Sequence, residues 1–249
     1  MTITCKNCNQ HFKGHFCNNC GQTAETHKMN FHFLWHDVLH SLFHFENGIL
    51  FTAIQLFTRP GNAIREFIDG KRVKYVKPIS FLLLLATIHA LLYHAFHVNL
   101  SNLITTREGK MGFNIANDLV TKHYSLVTLI SLPLYALGSF LAFKKQGYNF
   151  VEHLVLNAFL AGQRLIVHIL ILPLVYLCSS NITTTKIILE ILALTDIILL
   201  LWGYSQFFNR IPKIKSFLLT ILAYTIYYVS FLLIASIYAI IVLTSQNIR

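Results

Sequence analysis

Four cysteines open the chain in the pattern Cys5-Lys6-Asn7-Cys8 and Cys17-Asn18-Asn19-Cys20-Gly21. Two residues between thiolates let a tight turn aim both sulfurs at one ion, and two such knuckles supply the closed tetrahedral sulfur shell of a structural Zn2+ site. A closed shell leaves no open coordination position, which argues against catalysis at the metal. A redox dithiol is the competing reading, and it needs one CxxC rather than two. His11 and His15 lie between the knuckles and read as solvated loop residues or as alternative ligands. About 20 residues hold too little apolar surface for a core, so a segment over 1–25 folds only around its metal.

A second group of chemistry-bearing residues sits inside long apolar runs: His89, His94, Gln163, Arg164, His168, Glu190 and Asp196. Charges at bilayer depth are costly and need partners. At about 1.5 Å rise per residue, His89 lies roughly 15 Å from the cytosolic side, Arg164 roughly 17 Å and Asp196 roughly 18 Å. The expectation is a buried Arg164–Asp196 ion pair with Gln163 and His89 beside it, His168 a turn further out and Glu190 higher still. Such a cluster either fixes helix register or forms a binding or transport site. Pro133 frees a carbonyl at similar depth. Cys178 reads as an apolar filler.

The elements that must position these groups follow from composition. Hydrophobic residues make up 55% of the 249 and charged residues only 12%, against roughly a quarter charged in soluble domains. The expected fold is an all-α integral membrane protein. Its domains are a zinc ribbon over 1–25, an amphipathic and basic juxtamembrane region over 30–78, and a five-helix bundle over 79–249. The spans are expected near 79–97, 124–143, 153–178, 187–208 and 216–243, each close to the roughly 20 residues that cross a bilayer. No internal repeat and no secretory signal peptide is expected.

Residues 31–56 carry a helical apolar stripe of Phe31, Leu34, Trp35, Val38, Leu42, Phe45 and Ile49, with His32, His36, His40 and His44 opposite. This reads as a helix lying in the cytosolic interface. Its histidines form a plain polar face, a pH-responsive face, or, with Asp37, one incomplete metal box. Pro60 suits a helix start and Gly70 a helix end. The cationic run Lys71, Arg72, Lys74 and Lys77 beside the first span suits anionic lipid headgroups, with a phosphorylated ligand as the sharper alternative.

Lysines and arginines set the orientation. With the N-terminus in the cytosol, fourteen of them fall on the cytosolic side and five (Arg107, Lys110, Lys122, Lys186, Arg249) on the other, as the positive-inside rule requires. The expected location is the cell membrane, multi-pass, with the C-terminus outside. Basic residues clumped beside apolar runs argue against nucleic acid as a partner.

The paired CxxC knuckles, His40-Ser41-Leu42-Phe43-His44 with Gly48, the Arg59-Pro60-Gly61…Ile64-Arg65-Glu66-Phe67-Ile68-Asp69-Gly70-Lys71-Arg72 block with Tyr75 and Pro78, and the apolar run that follows resemble a bacterial family of small membrane proteins of unknown function with an N-terminal zinc ribbon. The resemblance covers roughly residues 5–95 and implies zinc and a membrane topology, but no activity. From sequence, the favoured function is a non-enzymatic scaffold or sensor whose ribbon docks a cytosolic protein or the base of its own bundle. A small transporter using the midplane cluster is the alternative. A membrane enzyme ranks third, because no nucleophile–base set and no complete metal box is visible.

Overall fold

A computed structural model of the chain describes residues 2–24, 26, 29–30, 48–96 and 124–246, with side chains to 237. The histidine-bearing segment 31–47 lies outside the described residues, so only the end of the expected interfacial helix is described.

The ribbon contains strands β1 (Ile3–Thr4) and β2 (His11–Phe12), paired antiparallel with Ile3 opposite Phe12 and Thr4 opposite His11. Each knuckle is closed by the same two backbone bonds. Cys5 N donates to Gln10 O and Asn9 N to Cys5 O, while Cys17 N donates to Gln22 O and Gly21 N to Cys17 O. Asn9 (φ 60) and Gly21 (φ 73) occupy the same left-handed position, which Asn tolerates and Gly favours. The two knuckles, Cys5-Lys6-Asn7-Cys8-Asn9-Gln10 and Cys17-Asn18-Asn19-Cys20-Gly21-Gln22, are thus two copies of one turn.

Two short helices follow, α1 (Ile49–Thr58) and α2 (Pro60–Asp69). Pro60 begins α2, and Gly70 ends it at φ 115, as the sequence suggested. Five longer helices come next: α3 (Pro78–Ala95), α4 (Tyr124–Ala142), α5 (Phe150–Cys178), α6 (Ile182–Phe207) and α7 (Lys213–Gln246). All five are long and apolar enough to cross a membrane. They fall where the five expected spans were placed, except that α5, α6 and α7 begin three to five residues earlier. Asn149 explains the early start of α5. Its side chain accepts from Glu152 N at 2.8 Å while Glu152 accepts from Asn149 N at 2.8 Å, a complete capping box. At 29 residues α5 is about 44 Å long, longer than a hydrocarbon core of about 30 Å.

Helix α5 is the axis of the bundle. Of its most apolar window 56% is buried, against 17% for α7. In the core Phe67 of α2 meets Phe159 of α5 edge-on, and Phe81 of α3 packs against Phe159 at a tilt. Ile187, Ile191, Leu194 and Ile198 of α6 stay exposed at helical spacing, the stripe expected of a lipid-facing surface.

The region α1–α2 forms a plate under the bundle. Arg59 holds Glu66 with both nitrogens, Nη1 to Oε1 and Nη2 to Oε2, each at 3.0 Å, and Tyr75 donates to Oε2 at 3.1 Å. Arg65 donates to the carbonyls of Gln206 and Phe207, satisfying the C-terminal end of α6 with a cation as the helix dipole favours. Pro60 has no N–H for the Leu56 carbonyl, and Gln163 of α5 supplies the missing donor at 2.8 Å.

Gly61 allows the plate to approach this closely. A Cβ there would lie 2.2 Å from Phe207 N. Gly61→Ala should therefore push α2 off α6 and destabilise the fold by about 1–3 kcal/mol, read as a lower melting temperature in detergent. The Arg59 fork also holds the Glu66 carboxyl below its usual 4.5. A carboxyl depressed on folding stabilises above its unfolded value and loses that contribution as pH falls through its folded value. Stability should thus drop below about pH 4.5 in the wild type, and less steeply in Glu66→Gln, on acid titration of the melting temperature.

Candidate metal centre and helix-bundle cavity

The knuckle turns bring Cys5, Cys8, Cys17 and Cys20 together so that their sulfurs all lie within 4.8 Å of one another. Cys5 Sγ to Cys20 Sγ is 3.5 Å and Cys8 Sγ to Cys17 Sγ is 3.6 Å. A disulfide needs about 2.05 Å. A tetrahedron of sulfurs at about 2.3 Å from a central ion has edges of about 3.8 Å. The donor set therefore fits a tetrahedral, thiolate-preferring metal ion. His11 is exposed and bonds Thr4 Oγ1 through Nδ1 at 3.0 Å, and His15 is exposed. Neither joins the sulfur group. Burial opposes ionisation of Cys20, but the Gln22 amide, the Asn7 side chain and the neighbouring thiols outweigh it and lower Cys20 to about 6.

The ribbon is clipped to the plate. Gln22 is buried, its Nε2 donates to Gly70 O, and its Oε1 accepts from Arg72 N at 3.4 Å. Asn149 at the start of α5 donates to Met29 O at 3.1 Å. The expected lipid-contacting cations are partly engaged inside the protein. Lys71 lies 3.5 Å from Glu66 Oε1, the Arg72 guanidinium lies over the Phe67 ring with Nε donating to Phe67 O, and Lys74 lies over Phe51. Lys77 occupies the position before α3 without a side-chain capping bond.

Within the bundle the expected cluster is partly assembled and partly redistributed. Arg164 and Asp196 line one cavity of about 220 Å3, with Tyr124, Thr128, Ser131, Tyr135, Tyr224 and Tyr227 among its walls. The expected direct pair does not form. Asp196 Oδ2 instead accepts from Tyr124 Oη at 3.2 Å and lies 3.1 Å from His168 Nε2. The Arg164 guanidinium sits over the Tyr135 ring, 5.1 Å from its centroid. Among the described residues, no carboxylate lies within ion-pair distance of it.

Helix direction explains the difference. Side chains lean toward the N-terminus of their own helix. Helices α5 and α6 are consecutive and run oppositely, so Arg164 leans toward one end of the bundle and Asp196 toward the other. His168, one turn beyond Arg164, is the residue that meets Asp196.

His89 is buried against this group, its ring 6.2 Å from that of His168 and 5.6 Å from that of Tyr124. Gln163 faces the plate instead of the cavity. Glu190 is exposed and pairs with Lys186 at 3.9 Å one turn away, and His94 is exposed. Neither belongs to the cluster. The sequence does not single out either tyrosine: Tyr124 begins its helix and reads as an interfacial anchor, and Tyr135 sits mid-helix as one more aromatic in an apolar run. A second network was missed too: buried His153 and Asn157 both bond Ser139 Oγ, and Tyr204 donates to Asn157 Oδ1 at 2.7 Å.

Residues 46–89 match the model of a family described as a protein of unknown function, DUF3667. The match covers α1, α2 and most of α3, the region holding Arg59, Gly61, Arg65, Glu66, Gly70 and His89. No curated protein and no solved structure matches the chain. The family's description carries no activity, so function rests on the geometry.

Proposed function

We propose that the chain is a multi-pass protein of the cell membrane that binds a small polar solute inside its helical bundle, as a small transporter or a solute sensor, with a structural zinc ribbon clipped beneath it. The observation that carries this reading is the cavity that reaches both Arg164 and Asp196 between apolar spans. Buried ionisable groups inside membrane helices mark solute or ion pathways, and a packed scaffold has no use for a void between opposite charges. Cys5, Cys8, Cys17 and Cys20 would hold Zn2+, which adds folding energy to a segment with little core of its own.

The positive-inside distribution supports a cytosolic N-terminus and an outside C-terminus. Anionic headgroups suit the cationic run Lys71, Arg72, Lys74 and Lys77 beside the first long helix. The scaffold reading retains one supporting feature: Phe16 is 61% exposed on the ribbon, a foothold for a cytosolic protein.

Thiol accessibility tests the solute reading. In a Cys178→Ser background, Thr128→Cys and Ser131→Cys on the cavity wall should react with a small hydrophilic methanethiosulfonate in native membranes. Ile198→Cys on the lipid-facing stripe should not. Inertness at all three positions would mean a sealed bundle, and the scaffold reading would replace this one.

A further inference from the structure

Two residues of the cavity wall, Arg164 and Asp196, each hold a buried polar atom without a hydrogen-bond partner. Arg164 is only 7% exposed, and its Nε makes no hydrogen bond. Asp196 uses Oδ2 for Tyr124 and His168, while its Oδ1 is buried and without a partner. Leaving one such atom unsatisfied is costly, and more so for a charged group. Both residues line one cavity and form no ion pair with each other, which leaves room for a ligand between them.

A lone anion would satisfy Arg164 and meet repulsion from Asp196. A lone cation would do the reverse. A molecule carrying both charges satisfies both ends. The remaining walls suit the body of such a molecule: Thr128 and Ser131 direct their hydroxyls into their own helix, to Tyr124 O and Val127 O. Val127, Ala193, Ile197 and Leu200 add apolar surface. The volume of about 220 Å3 falls below the roughly 300–1,000 Å3 of drug-sized sites.

Building on the solute-binding reading, we infer that the cavity between α4, α5, α6 and α7 is a site for a small zwitterion of amino-acid type, its carboxylate on the Arg164 guanidinium and its ammonium on the Asp196 carboxylate. Arg164 offers the planar fork that recognises carboxylate. Tyr124 and His168 hold Asp196 by Oδ2, and Oδ1 has no hydrogen-bond partner. The Tyr135 ring under the guanidinium keeps the fork in place without neutralising it.

The experiment is a binding titration on the purified full-length protein in nanodiscs, with four probes: L-alanine, L-leucine, propionate and ethylammonium. At least one amino acid should raise the melting temperature saturably, with both single-charge probes at least tenfold weaker. Arg164→Lys, which keeps the charge but loses the fork, should weaken amino-acid binding at least tenfold. Ala193→Phe, which fills the space and leaves both charges in place, should abolish it. Each variant counts only if it elutes as the wild type does on gel filtration. Binding of propionate as tight as that of the amino acids would overturn the zwitterion assignment, as would binding unaffected by Ala193→Phe. So would no response to either amino acid. If the cavity thiols react while neither amino acid binds, the solute-binding reading survives and the zwitterion does not.

Discussion

Cys8→Ser with Cys20→Ser should remove the metal from the purified protein and unfold the ribbon while leaving the bundle intact. Wild type should hold about one zinc per chain. Each knuckle contributes two of the four sulfurs, so the double substitution halves both knuckles at once. Structural zinc in such small units supplies about 10–16 kcal/mol of apparent binding free energy. The ribbon's own buried residues, Cys5, Phe12 and Cys17, cannot replace it. The expected readouts are loss of zinc by elemental analysis and rapid proteolysis before residue 30. The bundle should survive, because Gly70 and Arg72 lose Gln22 as a partner but the Arg59–Glu66–Tyr75 network does not depend on it. His11→Ala and His15→Ala should keep the zinc. Stoichiometric iron, or a ribbon that stays folded without metal, would contradict the assignment.

Substitutions at Arg164 and Asp196 should move stability in opposite directions. Asp196→Leu strips Tyr124 Oη and His168 Nε2 of their shared acceptor, and orphaning buried donors costs about 1–3 kcal/mol. Arg164→Met orphans no acid. It gives up the contact with Tyr135, worth about 0.5–2 kcal/mol, and removes a charge whose placement at membrane depth costs about 2.5–3.5 kcal/mol on insertion scales. The net expectation is a gain of about 1 kcal/mol together with loss of solute binding, the trade between stability and function expected of a binding residue. An Arg164–Asp196 pair that merely fixed register would behave otherwise, each single substitution costing about 3–5 kcal/mol. Melting temperatures of the two variants in one detergent decide between these outcomes.

The helices were legible because their signals are local. Five apolar runs of bilayer length, Pro60, Gly70 and the two CxxC knuckles each carry their meaning within a few residues. The partners of the midplane charges were less legible, since depth along a span ignores the direction in which a side chain leans. That omission joined Arg164 to Asp196 and left out His168 as the actual partner. Glu190 was drawn into the cluster by its charge alone, although Lys186 one turn away gives it a surface partner. In the sequence Arg65 counts only toward the basic juxtamembrane region and the block that carries the family resemblance. Its role at the end of α6 depends on a contact 141 residues away along the chain, which no local pattern encodes. Gln163 is similar: its partner carbonyl is free only because Pro60 lies four residues after Leu56, and that pairing becomes visible once α1 and α5 are adjacent.

The most direct measurement is an experimental density map of the full-length protein in lipid nanodiscs, sharp enough to place side chains and ordered solvent in the cavity. The account predicts density for water or a small solute within hydrogen-bonding distance of both Arg164 Nε and Asp196 Oδ1, with Tyr124 and His168 still on Oδ2. An Arg164 guanidinium laid directly on the Asp196 carboxylate, with the space between α4 and α6 closed by side chains, would contradict it.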